Sequence, residues 1–304
     1  MNALKQFFSQ NMLNKLIIIN IAIYLLINIT EVISFLLARQ GIVEQFVYQW
    51  VALPAYLPSL ILKPWTAITY MFTHESFWHL LGNMLWLYFL GQMFFSFFNG
   101  KQMFALYILG GFAGAALYII SYNIFPVFRP KLPLSTCIGA SAAVTAIVIA
   151  LCVYKPDFKV LLFGIIPISL KWLGIFYIAF DVMSIMSDNA GGHISHIGGA
   201  IIGLLFAVEI KKGKDITNGF NKIMDKIVAF FQQLGGSKKM KVSYRRSQEA
   251  KKKKEHYVST TDADYSNNDA ARQAKIDQIL DKISKSGYDS LTKEEKEFMF
   301  RQKG

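Results

Sequence analysis

Gly192-His193-Ile194-Ser195-His196-Ile197-Gly198-Gly199-Ala200 decides how this chain is read. Two imidazoles stand here in a glycine-rich run that carries no charged residue between Asp188 and Glu209. Ionisable groups are costly inside a membrane, so one found there is a functional hypothesis by default. Two other pieces share the pattern. Ile138-Gly139-Ala140-Ser141-Ala142-Ala143 sets one hydroxyl among small and apolar residues. His74-Glu75-Ser76-Phe77-Trp78-His79-Leu80-Leu81-Gly82-Asn83 opens a further apolar run. Four of the five histidines lie in these pieces, which together read as a buried serine-hydrolase site.

Working outward, the chain divides near Lys212. Hydrophobic residues make up 53% of the 304 positions and aromatic residues 14%, although the last third is very polar. Residues 1–212 carry 12 Lys/Arg against 7 Asp/Glu, and the remainder 20 against 13. The first part reads as a polytopic membrane domain and the second as a soluble appendage. A membrane-crossing helix needs about 20 mostly apolar residues. Six candidate spans fit, at about 16–37, 76–96, 102–125, 139–154, 171–186 and 192–210. The fold class expected is all-α, a six-helix membrane bundle. Ser76 is placed as the N-cap of the second span. The short fourth span suits a helix buried in the bundle or starting below the lipid surface. The first span is long and no small-x-small cleavage site follows it, so it is read as a span rather than a cleaved signal peptide.

Positive charge orients the bundle. With the N-terminus inside, the cytoplasmic segments hold Lys5, Lys15, Lys101, Lys155, Lys159, Lys171, Lys211, Lys212 and Lys214. The outer segments hold only Arg39, Lys63, Arg129 and Lys131. The excess puts both termini in the cytoplasm. Spans two, four and six then run from outside to inside, so their first turns share one depth. At about 1.5 Å per residue, His79, Asn83, Ser141 and His196 all fall within roughly 10–12 Å of the outer surface. Ala142, Ala146 and Ala150 form an i, i+4 stripe of small residues, and Gly199 and Gly203 form another. Such stripes let helix backbones approach closely in lipid.

The chemistry follows from residue types. A serine hydroxyl needs a base before it can act as a nucleophile, and a histidine can take that proton and later deliver it to a leaving amine. No carboxylate is expected beside His196, because Asp181 is counted at the middle of span five and Asp188 in an outer loop. A Ser141–His196 dyad is therefore the reading. The developing oxyanion needs preorganised donors, for which His79, Asn83 and the Ser141 amide are the candidates.

These pieces resemble the rhomboid family of intramembrane serine proteases. The resemblance rests on Gly139-Ala140-Ser141-Ala142, on Ser195-His196-Ile197-Gly198-Gly199-Ala200, and on His74, His79 and Asn83, in order over residues 10–210. It implies Ser141 as nucleophile and His196 as base, with His79, Asn83 and the Ser141 amide lining an oxyanion hole and Gly139 keeping the site accessible. It also implies transmembrane protein substrates cut near the outer face, a multi-pass location in a bacterial cytoplasmic membrane, and no metal, nucleotide or other cofactor. His74 and His193 are candidate accessory residues. The chain departs from the usual pattern at three points. Ala142 follows the serine where glycine is commonest, Thr145 stands where some members place a tyrosine under the histidine ring, and Pro64-Trp65-Thr66 lacks an arginine after the tryptophan.

Other readings are weaker. His74-Glu75 begins like a zinc motif, but His79 lies five residues on, which rotates it roughly 140° from His74 on a helix. A bis-histidine haem protein leaves Ser141 and Asn83 without a role. A catalytically silent rhomboid-like adaptor is the alternative from a different class; it predicts loss of Ser141 or His196, and both are present. Cys137 and Cys152 would lie roughly 22 Å apart along one helix, too far for a disulfide.

Beyond the bundle, residues 213–235 read as an amphipathic juxtamembrane helix on the inner leaflet. Residues 236–268 read as a flexible basic linker able to attract anionic membrane lipids. Residues 269–304 read as a small helical hairpin, with Thr292-Lys293-Glu294-Glu295 as a capping box and a cytoplasmic partner in view; no nucleic-acid-binding motif is present. Every reacting group lies before Lys212. A protein truncated after Lys214 is expected to cut a transmembrane reporter in detergent as the full chain does, measured at matched protein abundance. A folded but inactive truncation would show that the tail acts on the bundle.

Overall fold

Asn11 opens the first helix, α1 (Met12–Leu36), by accepting the Asn14 amide at 3.0 Å. The computed structural model describes residues 11–162 and 165–234, together with eight residues between 278 and 295. A long connection follows α1. It folds on itself through α2 (Ile42–Phe46), a π-helical turn, β1 (Leu53–Pro54), α3 (Leu57–Leu62) and α4 (Thr66–Thr69). Ser76 then caps α5 (Phe77–Phe94), its hydroxyl accepting the His79 amide at 3.2 Å, as the sequence predicts. Asn99 and Gln102 form a reciprocal capping box at the start of α6 (Gly100–Ile124).

The rest of the bundle runs through β2 (Thr136–Cys137), α7 (Ser141–Tyr154), the β3–β4 hairpin (Lys159–Leu162 and Ile166–Ser169), α8 (Leu170–Met183) and α9 (Ala190–Lys211). The six expected spans are thus α1, α5, α6, α7, α8 and α9. Three of them, α1, α6 and α9, are each long and apolar enough to cross a membrane on length and composition. At 14 residues, α7 is only about 21 Å long. Its residues Ala142 through Cys152 are all buried, the mark of a helix enclosed on every side. It packs on α5, α6, α8 and α9.

Small residues make that enclosure tight. An added methyl on Gly199 or Gly203 would overlap the carbonyl oxygen of Ala142 or Ala146, and one on Gly110 would overlap the Ala146 methyl. The Ala142–Ala146 stripe and the Gly199–Gly203 stripe therefore face each other at backbone contact. On the outside of the bundle, Leu25, Leu26, Ile29, Val32 and Ile33 of α1 and Ile175, Phe176 and Phe180 of α8 are exposed. An apolar belt of this extent marks a surface that meets lipid rather than water. The protein is an integral membrane protein with a helical polytopic bundle.

Beyond α9, Asp215 caps α10 (Thr217–Leu234) by accepting from the Thr217 amide at 2.8 Å and its hydroxyl at 2.6 Å. The helix is held to the start of α6 by Gln102–Asp215 and Lys101–Asp225 contacts, each 2.8 Å, and by Phe104 beside Phe220. Its Ile223, Ile227, Phe230 and Phe231 remain exposed.

The chain clusters into two units, Met1–Ser237 and Lys238–Gly304. In the second, the Thr292 amide donates to Glu295 at 2.8 Å and the Glu295 amide to the Thr292 hydroxyl at 3.3 Å, the reciprocal pattern of the expected capping box. Lys282 meets the same carboxylate at 3.0 Å. The Thr292 amide, and after it Lys282, hold the Glu295 carboxyl below its ordinary pKa. The basic linker at 236–268, and the Ile276, Leu280, Ile283, Gly287, Phe298 and Phe300 positions of the hairpin, lie outside the described residues.

The α7–α9 contact gives a direct expectation. Gly199→Ala must separate two backbones, so a loss of about 1–3 kcal/mol in stability is expected. Gly219→Ala, where nothing lies within 4 Å of the added methyl, is the control. Thermal unfolding in detergent should move for the first and stay put for the second.

Candidate active site

Ser141 is the first residue of α7, and the segment that delivers it is held from the connection between α1 and α5. β1 pairs antiparallel with β2, Leu53 opposite Cys137 and Pro54 opposite Thr136. The Gly139 amide then donates to the Tyr70 carbonyl at 2.9 Å. Gly139 turns the chain into the helix at φ +131, a conformation that suits only glycine. A methyl there would also stand 2.8 Å from His79 Nε2. Glycine is required twice over, once for the turn and once for the approach of His79. The amides of the first turn have no carbonyl partner within the helix, so the backbone beside Ser141 offers free donors at the positive end of the helix dipole.

His196 faces this point from the second turn of α9. Its Nδ1 is 2.8 Å from Asp181 Oδ1, and His193 Nδ1 reaches the same oxygen at the same distance. This corrects the expectation that no acid stands beside His196. Counted from a span of 171–186, Asp181 falls at mid-membrane. In the structure α8 stops at Met183, so Asp181 lies in its last turn, next to the first turns of α9. Tyr177, one turn earlier on α8, places its ring 6.2 Å from His196 and its hydroxyl 3.0 Å from Thr145 Oγ1. A tyrosine thus does lie against the histidine, supplied by α8 while Thr145 of α7 holds its hydroxyl.

His79 and Asn83 share one face of α5, and the Asn83 amide donates one proton to the His79 carbonyl at 2.9 Å. Ser141, His196, His79, Asn83 and Tyr177 all line one cavity of about 570 Å³, rimmed by Trp78, Lys131, Asp188 and Asn189. The fold thus brings all four groups singled out from the sequence to one cavity. Among the described residues the Ser141 hydroxyl has no hydrogen-bond partner. His74 is buried, and its ring meets His79 edge-on at 5.2 Å. Burial, and then the neighbouring His79, push its imidazole down to about 3. It lines a separate space beside Glu31, Glu44 and Glu75 rather than the main cavity.

Sequence reasoning missed Asp181 and Tyr177. The available signal was their i, i+4 spacing on an otherwise apolar helix, which places a carboxylate and a phenol on one face. Asp181, His193 and His196 also hold their ligand atoms within 4.8 Å of one another, a donor set that could receive a divalent cation.

Two family profiles match the chain: the Rhomboid domain over residues 62–212 and a family of unknown function, DUF6576, over residues 259–299. RHOMBOID-like protein 12, mitochondrial, of Arabidopsis thaliana is 31% identical over 158 residues, covering 49% of this chain. The chain spans about half the length of that relative, 47%.

The turn at Gly139 can be tested alone. Gly139→Ala should strain the turn and push His79 away, and displacements near 1 Å cost on the order of 10²-fold in turnover. Reporter cleavage should fall by that order while the protein still elutes as a folded species. Wild-type turnover would show that His79 need not lie against the loop.

Proposed function

From its membership of the rhomboid family, which the chain holds through residues 62–212, we propose that this protein is an intramembrane serine endopeptidase. Its substrates on this reading are transmembrane proteins, cut near the outer membrane face. The observation that carries the reading is the convergence of Ser141, His196, His79 and Asn83 on one cavity inside a lipid-facing bundle.

Asp181 occupies His196 Nδ1, which leaves Nε2 for the Ser141 proton. Ser141 Oγ attacks the scissile carbonyl carbon as its proton passes to Nε2. The carbonyl oxygen becomes an oxyanion, met by the Ser141 amide, the free Asn83 amide proton and His79. The imidazolium returns the proton to the leaving amine as the C–N bond breaks. Water then enters and adds to the acyl carbon as its proton passes to His196, and the imidazolium returns that proton to Ser141 Oγ as the C–O bond breaks and the carboxyl product leaves. Gly139 keeps His79 close, and His74 packs behind His79.

The excess of lysine on one side supports cytoplasmic termini and an active site opening to the opposite side. The relative's name places that protein in mitochondria, so it lends no support to a bacterial inner membrane. We assign catalysis to residues 1–212, and accessory roles to α10, the basic linker and the C-terminal hairpin, with membrane lipid and a cytoplasmic protein as their partners.

A metal-dependent hydrolase is the second reading, favoured only by the Asp181–His193–His196 donor set. It gives Ser141 no task. Ser141→Ala and His196→Ala should each abolish cleavage of a transmembrane reporter in liposomes, without additivity in the double mutant. A fluorophosphonate should label Ser141, and chelators should leave the rate unchanged. Asn83→Ala should lower turnover on the order of 10²–10³-fold while labelling persists. Full turnover in purified Ser141→Ala would sink the assignment.

A further inference from the structure

Asp181 is 2% exposed, on a helix whose other faces include exposed Ile175, Phe176 and Phe180. A carboxylate buried in such surroundings is strongly disfavoured unless its oxygens are hydrogen-bonded. Oδ1 meets two imidazole nitrogens at 2.8 Å, and Oδ2 has no partner among the described residues. Among the described residues, the hydrogen bonds to this carboxylate therefore come from His193 and His196. A dyad mechanism requires neither Asp181 nor His193.

We propose that Asp181 is a positioning residue that fixes the tautomer and the ring direction of His196, and that His193 fixes Asp181. The proposal rests on the reading of Ser141 and His196 as nucleophile and base. A neutral imidazole carries one N–H, and the bond made by one nitrogen decides which of them holds it. An ionised carboxylate only accepts, so the proton sits on His196 Nδ1 and the lone pair on Nε2, free to take the Ser141 proton. Tyr177 fixes the plane of the ring by packing, but a ring face cannot choose between two tautomers. When the Ser141 proton reaches Nε2, the ring is cationic and the Asp181 oxygen already lies beside it. The proton goes on to the leaving amine; Asp181 never takes it.

His193 lies three residues before His196, on the same face of α9, so one carboxylate oxygen can receive both rings. Its N–H restrains the carboxylate rotation that Oδ2, without a partner, does not restrain. His193 is not among the residues lining the main cavity. Its role is thus support of Asp181 rather than contact with substrate. The hydrogen-bonded arrangement is a three-residue line from His196 through Asp181 to His193, built on α9 and α8, in which His196 also lines the cavity that holds Ser141.

The test is ¹⁵N-histidine NMR of the full chain in detergent, joined to steady-state cleavage kinetics. His196 is expected as the Nδ1–H tautomer in wild type and as a mixture rich in Nε2–H in Asp181→Asn. The kcat of Asp181→Asn should fall on the order of 10³–10⁴-fold with KM held within about threefold, whereas a merely structural role would lower folded yield without this split. In a His196→Ala background the same substitution should change nothing further. His193→Gln should lose roughly tenfold. A wild-type His196 carrying its proton on Nε2, a metal-ligated Nδ1, or wild-type kcat in folded Asp181→Asn would each overturn the proposal. The wild-type spectrum decides even if Asp181→Asn does not fold. Dead Ser141→Ala and His196→Ala beside a fully active Asp181→Asn would remove Asp181 alone; active Ser141→Ala would remove the protease reading itself.

Discussion

Backbone contact between α7 and α9 is the constraint on which the rest depends. Lipid offers no hydrophobic drive for helices to meet, so association relies on close packing and on polar bonds between helices. With Ala142 and Ala146 seated against Gly199 and Gly203, the two helices are held at a fixed register. That register sets Ser141 at the top of α7 level with His196 in the second turn of α9. Any larger side chain along the seam would move the two groups apart before it touched either of them.

Polar groups complete the same seam from outside it. Asn20 of α1 donates to Tyr107 of α6 at 3.1 Å, and Tyr107 to the Met71 carbonyl of the connection between α1 and α5 at 2.9 Å. Tyr70, next in the chain, receives the Gly139 amide on its carbonyl. A buried chain of bonds thus runs from α1 to the loop that delivers Ser141. Each member would be costly if left unpaired in hydrocarbon, so the loop is held in place by the same energetics that hold the bundle together.

Much of this was legible in the sequence because it depends on local pattern. Ser76 as a cap, the two small-residue stripes and the placing of His79, Asn83, Ser141 and His196 in the first two turns of their helices all follow from period and helix direction. The Thr292–Glu295 box was legible for the same reason. What escaped was Asp181 with Tyr177, and the cause is a boundary. Extending span five to Met186 put Asp181 a turn too deep, and ends of elements are the least secure part of any periodicity argument. Thr145 was read as the loss of a stacking tyrosine. The ring is supplied by the next helix instead, and a contact between α7 and α8 leaves no mark in either segment alone. The β1–β2 pairing that carries Gly139 was invisible too, since two residues per strand leave no alternation to detect.

The shortness of α7 then solves two problems with one device. On the protease reading proposed above, a hydrolase set in lipid must bring water to its nucleophile, and it must supply donors to an oxyanion where no solvent can. Beginning the helix at Ser141 leaves only residues 138–140 between β2 and the helix, beneath a cavity that Lys131, Asp188 and Asn189 also line. Beginning it there also leaves the first amides of α7 unpaired within the helix. A helix long enough to span on its own would have carried Ser141 into its interior, with its amide bonded to a carbonyl one turn earlier and its hydroxyl sealed among side chains. The cavity exists because this helix begins only at Ser141, and the bundle around it makes so short a helix stable.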